Sequence, residues 1–354
     1  MSKLCIVIPC YNEQEMLPLL YSTLVQTADT LPDHELEFLL INDGSKDRTL
    51  EEIRKIAEKD SRVRYISFSR NFGKESAIYA GLENSDGDLT VIMDADLQDP
   101  PALLPEMIRA IEEEGYDSVA TRRVTRKGEP PIRSFFARMF YRLMNRMSDV
   151  DLVDGARDYR MMNREMVNAI LDLKEYNRFS KGIFGWVGFK TRWLEYENIE
   201  RAAGETKWSF WKLFKYAISG IVSFSTAPLQ ISSFFGVLFS LIAFVMIIVI
   251  AVRRLAFGDP VQGWASTICV IMLIGGIQLM SIGVLSQYLS KMYLEIKDRP
   301  IYLCAETNLS EDAPAASLFH PASWTYAGGP RSHAGHYAKS LDARRDHYVR
   351  KDRE

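Results

Sequence analysis

The sequence predicts an α/β fold with a mostly parallel sheet, followed by interfacial helices and a hairpin of two transmembrane helices. Two observations predict this fold class. Short apolar runs alternate with helical patterns over the first 200 residues, and two long segments, residues 231–252 and 260–290, contain no charged side chain. The chain has 354 residues, of which 47% are hydrophobic, and this is enough for one large domain or two modest ones.

Five short apolar runs are typical of buried strands. In chain order they are LCIVIP (4–9), LEFLLI (36–41), VRYISF (63–68), LTVIMD (89–94) and DSVAT (117–121). Helical patterns separate them, over residues 13–28, 47–59, 74–83 and 101–114. This alternation predicts parallel strands with helices on both faces of the sheet. Ligands of such sheets bind beyond the carboxyl ends of the strands, where the polar motifs NDGS and DAD occur.

The composition argues against several classes of protein. The net charge of −3 predicts no nucleic-acid partner. The cysteines show no CxxC pair and no metal-ligand spacing, so we expect reduced thiols in a protein that faces the cytosol. Only His34 precedes residue 319, which argues against histidine-based catalysis in the main domain. Charged residues near the N-terminus and a strand-like start predict that there is no signal peptide.

The two uncharged segments are long enough to cross a membrane. A hydrocarbon core about 30 Å thick requires about 20 apolar residues in a helix. We predict transmembrane helices over residues 231–252 and 264–289; the alternative is a pair of buried core helices. The short link RRLAFGD makes them a hairpin, so both flanks lie on one side of the membrane. Lysines and arginines in both flanks favour the cytoplasmic side, although the two arginines of the link oppose this orientation.

The remaining segments are assigned by their polarity. A globular domain is predicted over residues 1–207. Within it, residues 122–146 hold eight basic residues and one acidic residue, which predicts a helix in the membrane interface or, alternatively, one packed on the protein's own core. Residues 208–230 are predicted to form a juxtamembrane amphipathic helix. A juxtamembrane segment is predicted over residues 290–304, and residues 305–354 are predicted to be a mobile tail.

An acidic turn follows the fourth predicted strand. In DADLQDP, residues 94–100, three carboxylates lie within six positions at the end of an apolar run. Such a group can be a structural turn, an acid–base pair or a metal site. Asp94, Asp96 and Gln98 offer only oxygen ligands, which suit Mg²⁺ or Mn²⁺, and these ions commonly share their ligand shell with substrate phosphates. Our interpretation is a cation that cancels the repulsion between the aspartates and binds a diphosphate.

Five motifs occur in an order that resembles a known family. They are PCYNE (9–13), INDGSKD (41–47), RNFGKE (70–75), DADLQDP (94–100) and RAAGETKWS (201–209). The set resembles the family-2 glycosyltransferases, which have the A-type (Rossmann-like) α/β fold. More narrowly, it resembles the polyprenyl-phosphate glycosyltransferases, which include the bactoprenol glucosyltransferases and the dolichol-phosphate mannose synthases. The resemblance covers residues 3–304.

The resemblance implies roles for residues at the matching positions. It implies a nucleoside pocket formed by Pro9, Tyr11, Glu13, Ile41, Asp43, Asp94 and Ala95. It implies a Mg²⁺ or Mn²⁺ site at Asp94, Asp96 and Gln98, and catalytic roles for Asp96 and Asp158. Contacts with the donor phosphates or the lipid phosphate are implied for Arg122, Arg133, Arg201 and Lys207.

Several of these roles have alternatives. Asp43 can shape the NDG turn, and Glu13 can cap a helix N-terminus. Arg201 and Lys207 can bind lipid headgroups. Arg157 stands where the family commonly has glycine, immediately before the implied catalytic aspartate, so the local backbone can differ.

The function implied is an inverting, metal-dependent transfer of a sugar from a nucleotide sugar to undecaprenyl phosphate. UDP-glucose is the favoured donor. The expected location is the cytoplasmic face of the bacterial inner membrane, the expected product serves a cell-envelope glycan or lipopolysaccharide modification, and a homo-oligomer is expected. A lipid phosphate has a second pKa of about 6, so it is largely ionised at neutral pH and needs little help from a general base.

Four other functions stay open at this point. The first is a polyprenol or dolichol-phosphate mannose synthase that uses GDP-mannose. The second is a catalytically inactive membrane sensor or scaffold for nucleotide sugars. The third is a processive polysaccharide synthase, which typically has a QxxRW motif and many spans, whereas this sequence has neither. The fourth is a nucleotidyltransferase, which usually has a Gly-rich basic loop where this chain has PCYNE.

Overall fold

The computed structural model describes residues 2–123, 155–196, 225–257 and 264–310, together with Val153, Val222, Ala313 and Pro314. Its strands are β1 (Ser2–Cys10), β2 (His34–Asn42), β3 (Val63–Phe68), β4 (Leu89–Ile92), β5 (Ser118–Arg123), β6 (Ala156–Asn163), β7 (Thr191–Tyr196) and β8 (Cys304–Thr307). Its α-helices are α1 (Leu17–Ala28), α2 (Thr49–Lys59), α3 (Lys74–Asn84), α4 (Leu104–Glu112), α5 (Arg164–Asp172), α6 (Ser180–Trp186), α7 (Ala227–Phe257) and α8 (Trp264–Ile296).

One eight-stranded sheet organises the globular part, in the order β7-β5-β6-β4-β1-β2-β3-β8. Strands β1 to β5 and β7 run in one direction, whereas β6 and β8 run antiparallel to their neighbours. The predicted mostly parallel sheet is therefore confirmed, and the five predicted strands correspond to β1 to β5. The sequence pattern does not predict β6, β7 or β8.

Helices cover both faces of this sheet. Along β1, Leu4, Ile6 and Ile8 pack into the cluster under α1, α2 and α4, while Cys5 and Val7 pack into the cluster under α3. All five side chains are fully buried. A strand that is buried on both faces does not alternate between apolar and polar residues, so it reads as a continuous apolar run. This explains why the central strands could be recognised in the sequence.

The segment after α8 returns to the sheet. Tyr302 is fully buried, its ring stacks on Phe68 with a centroid distance of 5.0 Å, and its hydroxyl donates to Glu83 Oε2 at 2.7 Å. Strand β8 then pairs with the edge strand β3. The predicted mobile tail is therefore wrong at its start: residues 305–309 belong to the fold, because their backbone and side chains complete the sheet edge. Residues 315–354 lie outside the described residues.

Helices α7 and α8 are long and apolar enough to cross a membrane. They contain 31 and 33 residues, which correspond to about 46 and 50 Å at about 1.5 Å per residue. The most apolar stretches, Ala227–Met246 and Leu273–Ile296, are not buried against the rest of the protein. The alternative of two core helices is therefore wrong for these stretches, since a core helix is mostly buried.

Most of the two predicted amphipathic helices lies outside the described part of the chain. Residues 124–150 cover nearly all of the basic segment, and residues 208–221 cover most of the juxtamembrane segment. The interfacial position of both segments stays a prediction.

Candidate active site

Two strand-end loops form one wall of a site at the carboxyl edge of the sheet. The loop after β1 contains Asn12, whose backbone N–H donates to Ser45 Oγ at 3.0 Å and whose side-chain oxygen accepts from the Lys46 N–H at 2.9 Å. The next residue, Glu13, donates its N–H to Thr49 Oγ1 at 2.8 Å. These reciprocal bonds fix the PCYNE loop against the NDGSKD loop, so the two implied nucleoside-binding motifs form one structural unit.

Asp43 organises a third loop, RNFG, that leads into α3. Its carboxylate accepts hydrogen bonds from the Asn71 side chain at 2.8 Å, the Phe72 N–H at 2.7 Å and the Gly73 N–H at 3.0 Å. Burial raises the pKa of Asp43, and the two backbone N–H groups act in the opposite direction. Most of the acceptor capacity of this carboxylate is thus used within the protein. These contacts support a structural role for Asp43. This role is wider than the alternative in which it only shapes the NDG turn, because Asp43 also holds the RNFG loop.

Gly44 allows the second and third loops to approach closely. Its φ of +60° lies in the left-handed region, and a Cβ atom at this position would lie 2.3 Å from the backbone carbonyl carbon of Arg70. Only glycine fits this position without displacing the chain. The glycine of the NDG motif therefore has a packing function as well as a turn function.

Asp99 is the carboxylate of the acidic turn that is fully buried, and its hydrogen bonds hold the turn in place. Its Oδ2 accepts the Asp94 N–H at 3.2 Å, and its Oδ1 accepts from the Tyr196 hydroxyl at 3.1 Å and from Arg157 Nε at 3.3 Å. Burial raises the pKa of Asp99, and the charge of Arg157 opposes that effect. Asp99 therefore holds the backbone of the turn against β7 and the start of β6.

Of the other two carboxylates of the turn, Asp94 is partly exposed, whereas Asp96 is 8% exposed and therefore buried. Asp96 Oδ1 accepts the Gln98 N–H at 3.1 Å, and the intervening Leu97 has a positive φ of 54°, which is rare outside glycine. Gln98 Oε1 accepts from the Arg123 guanidinium at 2.9 Å. This strained turn places oxygen donors next to one another at the end of β4, which is a common property of functional turns.

The donor chemistry of this turn fits a hard divalent cation. Mg²⁺ is usually bound through one or two carboxylates together with substrate phosphates and water, so a dedicated cage is not required. Within the described ranges there is no group of three His, Cys, Asp or Glu residues that could hold a metal by itself. Asp94, Asp96 and Gln98 are the residues that would hold the cation, and a bound diphosphate would have to complete its ligands.

Lys74 joins the acidic turn to the implied catalytic aspartate. Its Nζ lies 2.6 Å from Asp94 Oδ1 and 2.5 Å from Asp158 Oδ2. Burial alone would raise the pKa of Asp158, but the ammonium groups of Lys74 and Lys181 lower it well below its usual range. Asp158 is therefore an anion at neutral pH and a poor general base. Its position beside Asp94 brings the implied donor side and acceptor side of the site together.

Arg157 also enters this site. Its Nη2 lies 3.6 Å from Asp94 Oδ2, the carboxylate oxygen that Lys74 does not contact, and its Nε contacts Asp99. Sequence reasoning identified Arg157 only as a departure from the family pattern and assigned no role to Lys74 or Arg123. The motif RNFGKE did contain Lys74, but nothing in the sequence states which carboxylates it meets.

The remaining implied site residues are placed differently. Pro9 and Tyr11 are partly exposed at the end of β1, whereas the side chains of Ile41 and Ala95 are buried in the core. Arg122 lies at the end of β5, where it forms an ion pair with Glu195 on β7. Three implied phosphate ligands lie outside the described residues: Arg133, Arg201 and Lys207.

Comparison with known proteins places these features in a family context. A family model described as glycosyl transferase family 2 matches residues 5–171. CsbB of Bacillus subtilis (strain 168), which is provisionally named a glycosyltransferase, is 44% identical over 310 residues, covering 87% of this chain and 93% of CsbB. The SfII prophage-derived bactoprenol glucosyl transferase of Shigella flexneri is 40% identical over 306 residues, covering 86% of this chain and 98% of the relative.

A solved structure is also similar. The glucosyl-3-phosphoglycerate synthase of Mycobacterium tuberculosis, in complex with Mn²⁺, uridine-diphosphate-glucose and phosphoglyceric acid, is 20% identical with a TM-score of 0.41. The match covers 62% of this chain and 78% of the synthase. By contrast, the sequence matches above are so long that they have to include both apolar helices, since they leave less than 15% of the chain unmatched.

Proposed function

The chain belongs to glycosyltransferase family 2, and on this premise we propose that it transfers glucose from UDP-glucose to undecaprenyl phosphate. It is a glycosyltransferase with the A-type α/β fold. The product is a lipid-phosphate-linked sugar for a cell-envelope glycan or lipopolysaccharide modification. One observation carries the proposal: 40% identity to a bactoprenol glucosyl transferase over 98% of that relative, apolar helices included. A polyprenyl phosphate acceptor explains why a soluble α/β domain is joined to such helices.

The charges of the site suit a reaction between two phosphate-bearing substrates. A cation held by Asp94, Asp96 and Gln98 would neutralise the charge that develops on the leaving diphosphate. Lys74 lies between the donor-side Asp94 and the acceptor-side Asp158, so it offers a positive charge where the two phosphate groups would meet. An ionised Asp158 does not have to accept a proton, because a lipid phosphate is already largely ionised at neutral pH.

The proposal is tested by assaying the purified full-length protein in nanodiscs that contain undecaprenyl phosphate. UDP-glucose is expected to give lipid-linked glucose, and GDP-mannose is expected to give little product. If GDP-mannose is the better donor, the sugar is corrected and the reaction class stands. If no nucleotide sugar gives a lipid-linked product, the inactive sensor or scaffold becomes the better explanation.

We propose that the protein crosses the bacterial inner membrane twice, with the globular domain and both termini in the cytoplasm. A reporter that is active only in the cytoplasm is expected to be active when it is fused after Glu354. The same reporter inserted at Gly258, in the link of the hairpin, is expected to be inactive and serves as the matched control. Activity at Gly258 without activity at Glu354 would reverse the proposed orientation.

A further inference from the structure

Both oxygens of Asp94 face a positive charge. Oδ1 lies 2.6 Å from Lys74 Nζ, and Oδ2 lies 3.6 Å from Arg157 Nη2. The same two cations contact the neighbouring carboxylates, Lys74 at Asp158 and Arg157 at Asp99. Lys74 and Arg157 are therefore a cationic pair that joins three carboxylates, and they come from the start of α3 and the start of β6, which the fold brings to the same sheet edge.

The charges that directly surround Asp94 are nearly balanced without a bound metal. The carboxylates of Asp94, Asp99 and Asp158 are matched by the cationic pair and by Lys181, whose charge acts on Asp158. A divalent cation that approaches Asp94 alone meets two like charges, one beside each carboxylate oxygen. Free metal is therefore expected to gain little at this carboxylate.

A diphosphate changes this balance, because it brings its own negative charges to the site. Arg157 Nη2 is buried and has no hydrogen-bond partner, so a phosphate oxygen would satisfy a donor that is otherwise unsatisfied. Lys74 has a side chain that is 43% exposed, and its flexible stem allows the ammonium group to turn toward an arriving anion. Either movement takes a positive charge away from Asp94 and so lowers the repulsion that the cation meets there.

We infer that Lys74 and Arg157 neutralise Asp94 until a nucleoside diphosphate arrives, so that the divalent cation binds together with the nucleotide and only weakly by itself. This inference rests on the proposed function, since it assumes that a nucleotide sugar is the donor. The cationic pair consists of positioning residues that control when the metal site becomes available.

The test measures binding, not turnover. Isothermal titration of the full-length protein in detergent is expected to show weak binding of Mn²⁺ alone and much tighter binding of Mn²⁺ when UDP is present. In Lys74→Met and in Arg157→Met, Mn²⁺ alone is expected to bind at least about tenfold more tightly than in the wild type, because one repelling charge is gone. Both variants are also expected to bind Mn²⁺ with UDP more weakly than the wild type.

Matched variants separate this role from a general loss of charge. Lys74→Arg keeps the charge and is expected to keep the weak binding of free Mn²⁺. Lys190→Met removes one charge at the opposite end of β7, where Lys190 lies over the Tyr116 ring, and is expected to change nothing. Thermal unfolding midpoints show whether each variant is folded.

Two results would overturn the inference. The first is that the wild type binds Mn²⁺ equally well with and without UDP. The second is that Lys74→Met and Arg157→Met both fold and bind free Mn²⁺ with the same affinity as the wild type. Either result leaves the proposed function intact, provided that UDP still binds. If neither UDP nor GDP binds to the wild type in the presence of Mn²⁺, the proposed function fails instead.

Discussion

Replacing Asp96 with asparagine is expected to lower the rate of sugar transfer by about a thousandfold while the protein stays folded. The substitution removes one negative charge from the proposed cation site, and a bound metal contributes several kcal/mol to the stabilisation of the transition state. The turn itself should survive, because an asparagine side-chain oxygen can still accept the Gln98 N–H that Asp96 Oδ1 accepts at 3.1 Å. Initial rates with UDP-glucose and undecaprenyl phosphate, measured with and without added Mn²⁺, check this prediction.

A second carboxylate of the same turn provides the matched control. Asp99→Asn breaks a buried ion pair with Arg157, so it is expected to lower the free energy of unfolding by about 3–5 kcal/mol. Asp96→Asn is expected to leave the unfolding midpoint almost unchanged. Excess EDTA should reduce wild-type transfer to the level of Asp96→Asn. Full wild-type activity in excess EDTA would contradict the metal role of the turn.

The strands that could be predicted are those that are buried on both faces. Strands β1 to β5 all lie inside the sheet, between the edge strands β7 and β8, and their buried runs can be recognised without any knowledge of their neighbours. The positions of the helices between them followed from the same alternation. The local sequence pattern was sufficient because the burial of each of these elements is visible in its own residues.

The strands that could not be predicted depend on partners that are distant in the sequence. Strand β8 has the sequence CAET, which has no apolar run, and it is a strand only because the exposed edge of β3 offers backbone partners. Strand β6, which inserts antiparallel between β4 and β5, mixes arginine, aspartate and methionine. The composition of β6 and β8 does not indicate that either segment pairs with another strand. For this reason the sequence places the start of the tail at residue 305, inside β8.

The candidate site divides in the same way. The acidic turn and the loop motifs are contiguous in the sequence, so their chemistry could be read directly. The contact between Lys74 and Asp158 joins residues that are 84 positions apart, and no local rule predicts it. The spacing groups Asp99 with the other acidic residues, but only the structure shows that its partners include Tyr196 on β7 and Arg157.

Ending the chain after Asp298 is expected to prevent stable folding, whereas ending it after Pro314 is expected to leave folding and transfer unchanged. The longer truncation removes Tyr302 and β8. Tyr302 is fully buried, and Asn84 Nδ2 donates to its hydroxyl at 3.0 Å, so its loss also leaves polar groups without a partner. The loss of β8 also exposes the backbone of the β3 edge.

The size of this effect can be isolated with a single substitution. Tyr302→Ala removes the ring stacked on Phe68 and is expected to cost about 3–5 kcal/mol, a large part of a typical folding free energy of about 5–15 kcal/mol. Tyr302→Phe keeps the ring and is expected to cost only about 1–3 kcal/mol, since it removes the hydroxyl alone. Thermal unfolding in detergent measures both variants. If the chain that ends after Asp298 unfolds at the wild-type temperature, the returning segment does not contribute to the stability of the sheet, and the tail begins where the sequence placed it.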